Sequence, residues 1–342
     1  MIAAWRDAFD HVAAMRAMIV LTPLILLAMI SGNGIWLRAA LVTISTFLAM
    51  ERSGLAPLGT LLHGVAIVAS YLALLAAQVA EPLFVLGCVL LAAASILLMG
   101  WDARLRSLGS FTFIPALYLA CETEAWAGPG DLLHRGILFL PAIVLAIIPV
   151  LVMSALEHRK TRPLNVSRLW HFGAVLSWAE RKESVPYLEV LVATALAVGL
   201  AAHTVMVWRL DQGQWMIWSA ASVITGDLTS GGQKLRDRMV SALLGVPAGI
   251  GAGIFLPHSA FAYDLALLVA VLTLVAVRPY VLAFGLRCTC VALALMLADN
   301  SSGMAAERAS HVILGGLIGF AVMCAVRVVA VQVRQSVRGF EA

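Results

Sequence analysis

Residues 157–184 read EHRKTRPLNVSRLWHFGAVLSWAERKES, set between RGILFLPAIVLAIIPVLVMSAL at 135–156 and PYLEVLVATALAVGLAAHTVMVW at 186–208. Each flank is long enough to cross a bilayer core as a helix, which takes roughly 20 apolar residues. The stretch between them is the chain's one long polar connection, with Arg159, Lys160, Arg162, Arg168, Arg181 and Lys182 interleaved with Trp170, Phe172, Leu176 and Trp178. That mixture suits a partly helical segment lying at lipid headgroups. It divides the chain into a first membrane block at 1–156, a basic linker at 157–184 and a second membrane block at 185–342.

The same grammar continues outward in both directions. The 342 residues are 62% hydrophobic and only 12% charged, with a mean hydropathy of +0.95, where soluble domains carry about 25% charged residues. Breaks at Pro, Gly and charge clusters define twelve candidate spans. They fall at about 15–31, 34–50, 56–79, 82–100, 107–121 and 135–156, then 186–208, 213–229, 239–257, 261–277, 279–298 and 310–331. The second, fifth and eighth are short or polar. The fold expected is an all-α membrane protein of about twelve transmembrane helices arranged as two parallel six-helix repeats.

Charge supplies an orientation, because short cytoplasmic loops collect Lys and Arg. With a cytoplasmic N-terminus, alternate counting places Arg6, Arg16, Arg52, Arg104, Arg106, the linker cluster, Lys234, Arg236, Arg238, Arg278, Arg327, Arg334 and Arg338 inside. Arg38, Arg135, Arg209 and Arg308 fall outside, and Arg287 falls within a span. Both termini are therefore expected in the cytoplasm, with the chain in a bacterial inner membrane. Arg6 and Arg16 are accompanied by Asp7 and Asp10, a poor match to the basic start of a cleaved signal peptide. The linker's basic residues are those the inside rule demands, so no nucleic-acid partner is implied.

The blocks also echo each other. Gly34-Ile35-Trp36 opens the second span and Gly213-Gln214-Trp215 opens the eighth, and each leads into a moderately polar segment, with Thr43, Ser45 and Thr46 in one and Ser219, Ser222 and Thr225 in the other. Six spans per block is even, so both copies enter the membrane in the same sense, and their axis is expected along the membrane normal.

Ionisable residues inside hydrocarbon cost about 2.5 to 3.5 kcal/mol each on insertion scales, so each is a functional candidate. Arg287, deep in the eleventh span, suits a carboxylate through a bidentate contact, or alternatively caps the carbonyls of a broken helix or pairs a buried acid. His203 in the seventh span could take and release a proton near neutral pH or be a packed, hydrogen-bonded histidine. Asp227, beside Thr225 and Gly226, is a proton or cation site or else a helix cap. Trp215 and Trp218 share a helix face and read either as interface anchors or as the apolar wall of a cavity for flat substrates. The glycines Gly245, Gly249, Gly253, Gly315 and Gly319 have the small-xxx-small spacing of close helix packing. Five cysteines lack metal-ligand spacing, and no HxxxxD, HExxH or DxD pattern marks a membrane enzyme. No metal or cofactor is expected.

In the second block, Gly213-Gln-Trp-Met-Ile-Trp-Ser, Gly231-Gly232-Gln-Lys234 and Arg238-Met-Val-Ser-Ala-Leu-Leu-Gly245-Val-Pro-Ala-Gly249 resemble the fusaric acid resistance and aromatic acid exporter family. The likeness runs from His203 through the eleventh span, with a fainter version around Trp36 and Gly64. It implies proton-driven export of aromatic or other organic acids, often beside a periplasmic adaptor protein. Plant aluminium-activated malate transporters look like distant relatives, which keeps a passive anion channel open. On this reading Arg287, Trp215, Trp218 and Thr225 bind the anion, and His203 or Asp227 carries the proton. A scaffold subunit and a homo-oligomer also stay open.

Overall fold

In the computed structural model, which describes residues 8–101, 105–126, 132–161, 187–299 and 301–341, the chain is helical. The described residues form twelve helices and no strand, apart from an isolated bridge between Phe9 and Val277. The helices are α1 His11–Ser31, α2 Ile35–Ser53, α3 Pro57–Ala77, α4 Glu81–Trp101, α5 Arg106–Trp126, α6 Leu132–Thr161, α7 Leu188–Trp208, α8 Gln214–Val223, α9 Leu228–Phe255, α10 Ala260–Ala276, α11 Tyr280–Asp299 and α12 Ser302–Glu341. Each expected span has its helix.

Eight of these, α1, α3, α4, α6, α7, α9, α11 and α12, are long and apolar enough to cross a membrane. Helix α10 is apolar but shorter. The three that fall short otherwise are α2, α5 and α8, the segments whose sequence is short or polar. The interfacial helix expected in 157–184 falls mostly outside the described residues, although α6 continues through Thr161.

Helix ends follow local chemistry. Asp10 caps α1 by accepting from the Ala13 N–H at 2.9 Å, and the glycines that end α1 and α2, Gly32 and Gly54, sit at φ 63° and 62°, where a Cβ would be strained. The eighth element departs from expectation. A helix was expected through residue 229, but α8 stops at Val223 because Ile224 is extended, Gly226 takes φ 86° and Asp227 begins a new cap. Ten residues rise only about 15 Å, half of a hydrocarbon core.

Most packing repeats between the blocks, although the α2–α5 and α3–α4 contacts have no comparable counterpart in the second. Within α1–α6 the first helix packs on the second and sixth, the second on the third and sixth, the third on the fifth and sixth, and the fifth on the fourth and sixth. Each of those pairings recurs among α7–α12. Across the blocks α4 packs on α7 and α10 on α1, contacts that interchange when the halves are exchanged. Further contacts join α2 to α10 and α5 to α8.

Spaced glycines make the closest approaches. A Cβ at Gly245 or Gly249 would strike the carbonyls of Gly285 or Thr289 on α11, and one at Gly315 or Gly319 those of Met216 and Ala220 on α8. Small residues let these backbones touch, as the spacing implied.

Ion pairs gather alternate helix ends at one face of the bundle. Arg16 near the start of α1 bridges Glu51 at the end of α2, 2.7 Å away, and Glu157 at the end of α6. Arg278 after α10 pairs with Asp10 at 3.1 Å. Arg327 and Arg334 of α12 hold Glu189 at the start of α7. Opposite ends meet at the other face, where Gln78 after α3 donates to Glu124 of α5 at 3.1 Å.

Candidate functional site

Two cavities lie between the blocks. The first, about 680 Å³, is lined from the first block by Leu37, Arg38, Leu41, Tyr118 and Glu122 and from the second by Trp215, Trp218, Tyr263, Leu274, Arg287 and neighbours on α10 and α11. Gln212 and His258 place its mouth at the face opposite the ion-pair cluster. The second, about 420 Å³, lies towards the cluster face and is lined by α2, α4 and α5 on one side and by α7 to α11 on the other.

The second cavity carries a single sign of charge. Arg52, Lys234, Arg238, Arg278 and Arg287 line it, and no carboxylate does among the described residues. Such a lining focuses a positive potential and concentrates anions. The first cavity is mixed: Arg38 and Arg287 are accompanied by Glu122, whose charge attracts that of Arg38.

Three guanidiniums stand around α8 and α11. Arg287 donates from Nε to the Thr273 hydroxyl at 3.2 Å and lies 5.8 Å from the Phe284 ring centre. Arg238 is buried, donates from Nε to Ser219 Oγ at 3.2 Å and from Nη1 to the Tyr280 hydroxyl at 3.1 Å, and lies over the same Phe284 ring at 4.4 Å. Ser219 can accept because its own hydrogen goes to the Val312 carbonyl. Arg308 is 1% exposed, sits 3.8 Å from the Trp215 ring centre, and leaves Nε and Nη2 without a hydrogen-bond partner. No described carboxylate forms an ion pair with any of the three. Aromatic faces thus supply the contacts that acids would usually give a buried cation.

Trp215 and Trp218 stack at 5.1 Å with 26° between their planes, and Tyr118 meets Trp215 edge-on at 6.3 Å. The Trp215 indole N–H donates to Gln212 Oε1 at 3.2 Å, fixing its ring. The pair therefore forms a cavity wall rather than a lipid-facing anchor.

The geometry brings Arg287, Trp215 and Trp218 together and leaves the other three expected residues apart. Thr225 lines neither cavity and donates to the Asp227 carbonyl at 2.9 Å. Asp227 is the N-cap of α9, accepting from the backbone N–H and hydroxyl of Ser230 at 2.8 Å each, and those bonds hold its carboxyl below the usual range. It lines a small crevice of about 130 Å³ with Glu189 and Arg327 at the cluster face. His203 is near the end of α7 on the outer surface, 61% exposed, with Nδ1 3.3 Å from Glu81 Oε1 at the start of α4.

Glu122 has no signal in the sequence reading, Arg38 and Arg308 enter it only as loop charges, and Arg238 stands out only as the head of the family-like, glycine-spaced segment. Arg238 and Arg308 each lie inside a helix that begins earlier than its apolar run.

Eight membrane-length helices surrounding cavities of opposed exposure define a multi-pass membrane protein. Residues 189–322 match the family model described as fusaric acid resistance protein-like, which supports the resemblance read in the second block. That region holds nearly all of α7, the whole of α8, α9, α10 and α11 and about the first half of α12, and with them all three guanidiniums. No curated protein and no solved structure matches the chain.

Proposed function

We propose that this protein is a membrane transporter that exports organic anions, aromatic carboxylates foremost, from the cytoplasm. One observation carries the reading: the second cavity is lined by five cations and no carboxylate among the described residues. Lining of that kind repels metal cations and amines and draws in acids at the face where basic residues gather. The Trp215–Trp218 wall adds a flat apolar surface for an aromatic ring, and Arg287 provides a guanidinium for its carboxylate.

The topology proposed is twelve membrane-inserted segments in two parallel repeats, with α8 crossing only part of the bilayer. Recurrence of the same helix pairings in both blocks supports it. The ion-paired face is cytoplasmic, since it collects Arg16, Arg52, Arg278, Arg327 and Arg334, and the membrane is the bacterial inner membrane. Proton coupling supplies the drive, as in the resembled family, with Glu122 the carboxylate that shares the first cavity with Arg287.

The test is uptake of a hydroxybenzoate into everted vesicles or proteoliposomes containing the full chain. Accumulation that requires an imposed pH gradient is expected. Flux that ignores the pH gradient and follows voltage alone overturns the exporter reading, and absence of any carboxylate flux overturns the substrate class.

A further inference from the structure

Among the described residues the two cavities have Trp218, Leu274 and Arg287 in common and no other lining residue. A side chain that lines both spaces stands between them, so the wall separating the compartments is one side-chain layer thick at this point. Trp218 comes from α8 and Leu274 from α10. Arg287 comes from α11, where Thr273 on α10 tethers it at 3.2 Å.

On either side the chemistry is graded. Towards the first cavity Trp218 is stacked on Trp215, behind which lies Arg308 with two unpartnered donors. Towards the second cavity Arg238 holds its guanidinium on Phe284, the ring that Arg287 also approaches. Arg287 and Arg238 therefore both approach one aromatic ring, and neither is ion-paired with an acid among the described residues. An anion held by Arg287 from one cavity has a second guanidinium within the next layer.

We infer that Trp218 and Leu274 are the barrier between the two cavities, and that Arg287 and Arg238 are successive stations for an anion crossing it. The inference rests on the anion-transport reading and assigns its crossing point. Movement of the Trp218 ring opens the layer, and the cationic stations decide which sign of ion passes. Arg238 lies three residues short of Ser241, whose hydroxyl donates to the Val281 carbonyl and fastens α9 to α11. The two stations are thus mounted on helices held in a fixed relation.

The experiment uses the purified chain in liposomes loaded with a chloride-quenched dye, with entry driven by a potassium diffusion potential. Trp218→Ala and Leu274→Ala are each expected to raise chloride entry by at least about tenfold, the equivalent of removing ~1.4 kcal/mol of barrier, with no rise in sodium entry. Adding Arg238→Gln or Arg287→Gln to Trp218→Ala is expected to take most of that leak away. Chloride entry at the wild-type rate in monodisperse Trp218→Ala and Leu274→Ala protein overturns the barrier, and a leak equally open to sodium overturns the stations. A double variant that leaks as fast as Trp218→Ala overturns the station it removes. The organic substrate plays no part in this assay. A chloride leak through Trp218→Ala alongside no hydroxybenzoate flux through the wild type therefore refutes the substrate proposal and leaves the crossing point standing.

Discussion

Replacing Arg287 by Gln removes the one guanidinium that reaches both cavities while keeping a side chain able to accept from or donate to Thr273. In the wild type its Nε donates to Thr273, and the residue lines both cavities. Truncating one partner of a close charge pair costs roughly 2 to 5 kcal/mol. Because Arg287 is only partly enclosed, water takes over some of the lost solvation and the lower part of that range applies. A loss of about 2 to 3 kcal/mol corresponds to a substrate affinity about 30- to 150-fold weaker. Arg287→Lys is expected to fall between, since it keeps the charge and loses the planar fork. The assay is hydroxybenzoate binding by calorimetry in detergent, with the apparent KM for efflux beside it. Affinity for Arg287→Gln within about threefold of wild type, or under about 0.7 kcal/mol, in protein of unchanged chromatographic profile would refute the carboxylate role.

Other outcomes follow from single contacts. Gly249→Ala should lower the melting temperature, with an overpacking cost of about 1 to 3 kcal/mol, because its Cβ meets the Thr289 carbonyl, whereas Gly251→Ala on the same helix meets nothing within 4 Å and should be neutral; equal behaviour would contradict the α9–α11 contact. Arg308→Met should leave thermal stability unchanged or higher, since replacing a buried charge without an acid partner by an apolar chain is often stabilising, and a marked fall in melting temperature would reveal a partner. Asp227→Asn should cost less stability than Asp227→Ala, because only the former keeps a cap. The lowered carboxyl of Asp227 adds stability above its unfolded pKa, lost as pH falls through its lower folded value, so the wild-type advantage over Asn should shrink only in acid. His203→Gln should leave the pH profile of efflux unaltered, given its position on the outer surface against Glu81; a flattened profile would restore it as a proton carrier.

Much of this protein was legible from hydropathy alone. A bilayer imposes length and apolarity on every span, so the breaks at Pro, Gly and charge placed all twelve helices, and the glycine spacing announced the close contacts of α9 and α12. Even the weak segments were informative: α2, α5 and α8, too short or polar to stand as spans by themselves, each line both cavities, because a helix facing a polar space need not be apolar all round. Legibility ended where charge served two purposes. Arg238 and Arg308 were read as boundary markers by the same rule that oriented the chain, yet their helices begin a turn or more earlier, and aromatic rings of Phe284 and Trp215 cover them.

The sequence by itself determined that the chain lives in a membrane, where its helices run and which ends carry the basic residues, since those properties depend on local composition. Only the tertiary structure decided which intramembrane groups meet. Arg287, Trp215 and Trp218 converge because α8 and α11 are brought to the seam between blocks, while His203 and Asp227 turn to the outer surface and to a helix cap. Convergence depends on the rotation of each helix about its axis, fixed by backbone contacts such as Gly319 on Ala220. Residues far apart in the chain settle that rotation together, and no local pattern encodes it.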